Sequence, residues 1–138
     1  MIPGIVTRLA DLIPGQAAEV ADAAALALLA PGALPAALPA LFVVPVMERA
    51  GPLEGLNGAR QRVEATVGII FVVSAGDPGG AVATLESLRA QVESRLLGWQ
   101  PSPDQDSLRL GGGELVAAEA GTLWWQDDYR TLSFKAKI

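Results

Sequence analysis

Trp124-Trp125-Gln126-Asp127-Asp128-Tyr129-Arg130-Thr131-Leu132-Ser133-Phe134-Lys135-Ala136-Lys137-Ile138 carries the cleanest period-two pattern in the chain, together with two of its three tryptophans and its only tyrosine. From Leu132 on, Leu132, Phe134, Ala136 and Ile138 fall on one side of a strand, while Thr131, Ser133, Lys135 and Lys137 fall on the other. One side asks for a core; the other asks for water or a partner. The apolar side has to be covered by other elements, so the C-terminus is expected to be structural. Trp124 and Trp125 are adjacent and therefore point to opposite sides of the same strand. Either the sheet is covered on both faces, or a tryptophan lies across its own hairpin, or one indole lies at a subunit contact, where tryptophan supplies large buried area and a hydrogen-bond donor.

Upstream of this strand, Leu108 to Leu110 and Glu114 to Ala120 read as strands, with Gly111-Gly112-Gly113 and Ala120-Gly121 as turns. Asp77-Pro78 starts a helix with an N-cap acceptor and a first-turn proline. That helix runs to Leu97. Val82, Leu85, Leu88, Val92 and Leu96 form its apolar stripe, and Arg89 can pair with Glu86 and Glu93 on the outer side. Gly98 supplies a left-handed cap and Trp99 folds back on the last turn. Gln61 to Val73 is the longest strand, with Val67, Ile69 and Phe71 facing the helix.

Toward the N-terminus, Ile2 to Ile13 and Ala17 to Leu29 read as helices, the second on alanine and leucine propensity. Gly32 to Pro39 is a connector, and Leu41 to Val46 is a short strand whose Pro45 marks an edge or an end. Glu48 to Gly58 has loop composition, and Arg49 to Gly58 is expected to order only against a neighbour. The predicted fold is one α+β domain over 1–138. Its sheet is mainly antiparallel, of about four strands, with helices packed on one face in the order α-α-β-β-α-β-β.

A chain of 138 residues buries roughly two-thirds of its unfolded surface without a disulfide or metal staple. It has no cysteine and no histidine, which removes Cys and His nucleophiles, the imidazole base and nearly every zinc or redox-metal site. The net charge of −5 and pI of about 4.6 argue against sequence-independent binding of nucleic acid. Arg60 with Arg62, and Lys135 with Lys137, nonetheless concentrate basic charge on two strands. The uncharged run from Ala23 to Met47 is broken by Pro31, Gly32, Pro35, Pro39 and Pro45, so no membrane span is expected. Asp11, Glu19 and Asp22 interrupt any secretory signal, and the chain reads as soluble and intracellular.

Gly76-Asp77-Pro78-Gly79-Gly80 and Gly111-Gly112-Gly113 lack the spacing and the Lys-Ser/Thr of a phosphate-binding loop. The close carboxylate pairs, Asp104 with Asp106 and Asp127 with Asp128, lack the converging oxygens a hard cation needs. No catalytic, metal or cofactor site is expected, and the chain reads as non-enzymatic.

Arg60-Gln61-Arg62-Val63 entering the long strand, Leu96-Leu97-Gly98-Trp99 closing the helix, Gly112-Gly113, and Leu123-Trp124-Trp125-Gln126-Asp127 leading into the last strand together resemble the tail terminator proteins of tailed bacteriophages and prophages. The resemblance spans most of the chain. It implies a homo-oligomeric ring, usually a hexamer, that caps the tail tube, ends its polymerisation and meets the head–neck connector. It implies location in the virion tail after assembly in the host bacterial cytoplasm. The expected interface residues are Arg60, Arg62, Trp124, Trp125, Lys135 and Lys137. Another neck, connector or tail-completion component would have a similar composition; a small ligand-binding domain would need converging polar groups beyond Asp127, Asp128 and Tyr129.

Overall fold

The computed structural model describes residues 1–12, 17–29, 33–55, 58–76 and 78–136. At its centre is β3 (Arg60–Ser74), where alternating apolar residues give way to a run buried on both sides from Ala65 to Val73. β5 (Thr122–Ala136) pairs with it antiparallel without a break, from Arg60 opposite Ala136 to Ser74 opposite Thr122. β2 (Ala40–Glu54) flanks β3 on the other side, also antiparallel. β4 (Arg109–Glu119) returns along β5 through Ala120-Gly121, whose φ angles of 50° and 73° are those of a type I′ hairpin turn. β1 (Glu19–Asp22) lies parallel to β2, and the sheet order is β1-β2-β3-β5-β4.

This architecture corrects the predicted one. The sheet has five strands and one parallel pair, strand outweighs helix by 49% to 27%, and helices lie on both faces. α1 (Ile2–Leu9), the 3-10 turn Ala10–Leu12 and α3 (Pro78–Leu96) pack on one face, around Leu41, Val43, Val67, Ile69, Phe71 and Tyr129. The short α2 (Ala23–Ala27) sits on the opposite face, with Ala25 and Leu26 against Phe42, Ile70, Val72 and Trp124.

The expected helix over Ala17 to Leu29 is instead β1 followed by α2. Alanine's advantage is less than about 1 kcal/mol per residue over most others, so it yields to a ladder that seats Val20 and Ala21 against the two cores. Asp22 then stops the strand and caps α2, accepting from the backbone N–H groups of Ala24 and Ala25 at 3.0 and 3.2 Å.

The predicted loop from Glu48 belongs largely to β2, which passes through Pro45 with register shifts after Pro45 and after Ala50. Beyond Val43 no described strand covers the outer edge of β2, and an edge tolerates proline. Gly111-Gly112-Gly113 is not a turn either. It lies inside β4, beside a register shift between Leu110 and Gly112.

The last strand presents its sides opposite to expectation. Tyr129 opposite Val67 and Asp127 opposite Ile69 set the register, and a period of two then turns Thr131 and Ser133 toward the helices and Leu132 and Phe134 away. Thr131 is 1% exposed, and its hydroxyl donates to the carbonyl of Asp106 at 2.7 Å in the segment that covers it. On α3, Leu85, Leu88, Val92 and Leu96 are buried as expected, but Val82 is 50% exposed and Ala81 holds its place. The expected N-cap Asp77 lies outside the described residues.

Length decides what remains uncovered. Fifteen-residue strands reach about 50 Å, whereas the 19 residues of α3 reach about 28 Å. The sheet therefore runs past its helices. From Pro45 to Glu54 every β2 residue except half-buried Gly51 is exposed, as are Arg60, Arg62 and Phe134 to Ala136, so this end of β2, β3 and β5 forms a protruding arm.

Candidate functional site

A largely buried polar group lies where α3 crosses β5. Arg89 grips Asp127 with two hydrogen bonds of 2.9 Å, and the indole N–H of Trp125 donates to Asp127 Oδ1 at 2.8 Å. The guanidinium also lies 4.6 Å from the Trp125 ring centroid, a cation–π contact. Asp127 is 2% exposed, so the carboxylate is held by ideal bidentate geometry in a place that water scarcely reaches. Its hydrogen bond raises the Arg89 pKa above an already high ordinary value. Tyr129 is pushed upward as well, first by burial and then by the negative charge of Asp127.

Arg89 was expected on the outer face with Glu86 and Glu93; its hydrogen bonds go to Asp127 instead. Gly113 stands opposite Asp127, and a Cβ there would collide with Asp127 Oδ1 and come within 2.9 Å of Trp125 Nε1. A glycine is needed for the carboxylate to lie flat against β4. Both Asp127 oxygens are engaged, so the group ties helix to sheet. Asp128 accepts from Gln126 at 2.8 Å. Asp104 accepts from the Ser102 hydroxyl, which holds its pKa below the ordinary carboxylate value. Among the described residues no group of three or more His, Cys, Asp and Glu side chains could hold a metal, and no helix is long and apolar enough to cross a membrane.

The described residues expected at an interface are distributed over four places. Arg60 and Arg62 share a side of the arm with Phe134, their guanidinium carbons 3.9 and 5.7 Å from its ring centroid. Lys135 is opposite Gln61 and so projects from the other side of the arm. Lys137 lies outside the described residues. Trp125 faces α3 in the Asp127 group; Trp124 faces the opposite core and donates to Thr122 Oγ1 at 3.0 Å. Both indoles are half-buried within the chain, each in its own core. Trp124 also borders a cleft of about 250 Å³ with Leu26, Leu29 and Leu34.

Sequence reading did not single out the free β4 edge or the pairing of Arg89 with Asp127. The signal for the edge was present: Leu115-Val116 beside three glycines, with no proline or lysine. The pairing gave none, since its partners are 38 residues apart.

Among the described residues, the sheet leaves the β4 edge unpaired, a three-stranded arm runs past the helices, and the central carboxylate is engaged in an internal tie. The chain matches the family described as phage tail terminator protein over residues 2–135, and it belongs to that family. It is accordingly a structural protein of phage-type tails. Among solved structures it is similar to a chain from the virion of a native gene transfer agent particle, at 15% identity and a TM-score of 0.58, covering 97% of this chain and 94% of that one. At that identity the likeness establishes a shared fold. No curated protein matches the chain.

Proposed function

We propose that this chain closes into a hexameric ring on the end of a tail tube, stops tube polymerisation there, and offers its other surface to the head–neck connector. The family match over residues 2–135 carries the reading. The exposed arm and the free sheet edge support it, because ring closure needs two different patches on each subunit that meet head to tail.

The arm supplies charged and aromatic groups for such contacts. Arg60 and Arg62 bracket Phe134 on one side and Lys135 stands on the other, so the arm can meet acidic partners on both. Lys137, two residues on in the sequence, belongs to the same proposed contact, and the half-buried edges of Trp124 and Trp125 extend it toward the body of the sheet. The proposed role is architectural, with the Asp127 group holding the fold. Assembly is placed in the host bacterial cytoplasm, before the tail joins the head.

The test is tube growth. Purified tube protein elongates without a set end-point; adding this chain at the onset should hold tube length constant while free tube protein remains. Tubes that keep elongating at saturating amounts of the chain contradict termination, and binding to connector alone would instead mark it as a neck component.

A further inference from the structure

We infer that ring closure, on the reading proposed above, is made by strand pairing: β4 of one copy adds to the β1 edge of the next. β4 is exposed along its whole length except half-buried Ala117, and no described strand pairs with its outer edge. Natural sheets protect such edges with prolines, bulges, charge or brevity. The free part of β2 has Pro45, Pro52, two register shifts and the charges of Glu48, Arg49 and Glu54. β4 likewise has two register shifts, and charges at Arg109, Glu114 and Glu119, but it has neither proline nor lysine and carries Leu115 and Val116 at 53% and 52% exposure. At Gly112, with φ 146°, an added Cβ would meet nothing within 4 Å.

The opposite edge answers it. β1 is short and carries Glu19 and Asp22, but it has neither proline nor lysine and its outer side is joined to no described strand. β4 runs antiparallel to β5, β5 to β3 and β3 to β2, while β1 runs with β2, so β4 and β1 point in opposite directions. Rotation about an axis along the strands preserves direction. Successive copies on such a ring therefore meet β4 to β1 in antiparallel fashion, which extends one continuous sheet around the ring and covers Leu115 and Val116. The occupant of the β4 edge is thus a second copy of this chain.

The absence of native cysteine makes the seam directly testable. Variants carrying one cysteine in β1 (Val20→Cys or Ala21→Cys) and one in β4 (Leu115→Cys or Val116→Cys) should, for at least one pair, oxidise to a ladder of multimers ending at the closed ring, while each single-cysteine variant gives dimers at most. In the unmodified protein, the outward-facing backbone amides of β4 level with β1, within Gly113 to Ala117, should exchange at least about tenfold more slowly in the ring than in the free subunit. Leu115→Lys with Val116→Lys should weaken ring formation by at least about tenfold with the monomer's melting unchanged. Rings that form with no cross-linked pair and no change in β4 exchange overturn the seam and leave the terminator reading standing. A chain that forms no ring even on tube ends overturns both.

Discussion

Asp127 shows how one side chain can look like chemistry and act as structure. Its carboxylate accepts from Arg89 and from Trp125, and Gly113 leaves the space it needs. Asp127→Asn removes the charge while keeping the shape, and should lower stability by about 1–3 kcal/mol in urea unfolding, because the Arg89 hydrogen bonds lose their ionised acceptor. The larger losses known for fully buried pairs do not apply, since a third of the Arg89 side chain meets solvent. Tyr129 gives a pH test. Burial and the Asp127 charge keep it protonated in the native state beyond the pH near 10 at which an unfolded tyrosine ionises, so the unfolded state holds fewer protons above that pH. Stability should fall by up to about 1.4 kcal/mol per pH unit as pH rises through 10, and Tyr129→Phe should remove that component of the slope. The sequence offered Arg89 two local carboxylates, Glu86 and Glu93, each worth only a few tenths of a kcal/mol, and burial favoured the distant one.

At the scale of elements, the long strand, the long helix and the first helix were legible, and the stretch from Ala17 to Leu29 was not. Gln61 to Val73 and the stripe through Leu85, Leu88, Val92 and Leu96 are long enough for periodicity to decide them. Leu88→Ala should cost about 2–5 kcal/mol, measured by chemical denaturation; a loss under about 1 kcal/mol would mean that the helix does not depend on this contact. β1 was hidden because its pairing with β2 is non-local and its sequence resembles the helix that follows. The sides of β5 were misassigned for a related reason. Leu132 and Phe134 look like core on hydrophobicity alone, yet register set near Tyr129 and the hydrogen bond of Thr131 to Asp106 put the threonine inside. Of the candidate interface, the basic residues of the arm could be read as a cluster, but their division between two sides depends on a register that only pairing reveals.

The whole molecule combines a braced body with an unbraced arm. Helices, two cores and the Asp127 tie hold the body, while β2, β3 and β5 run beyond them and expose Met47, Leu53 and Phe134. If the arm mediates assembly through its charge, Arg60→Glu with Arg62→Glu should weaken ring formation most at low ionic strength, with the melting temperature little changed. Light scattering across a salt series reads the first and a thermal melt the second. Lys135→Glu tests the other side of the arm separately. The central claim, that the chain ends a tail tube by closing on it, is met most directly by electron micrographs of the protein mixed with its tail tubes: a ring of density at a single end of each tube is the predicted result, and tubes bare at both ends, or decorated along their length, would contradict it.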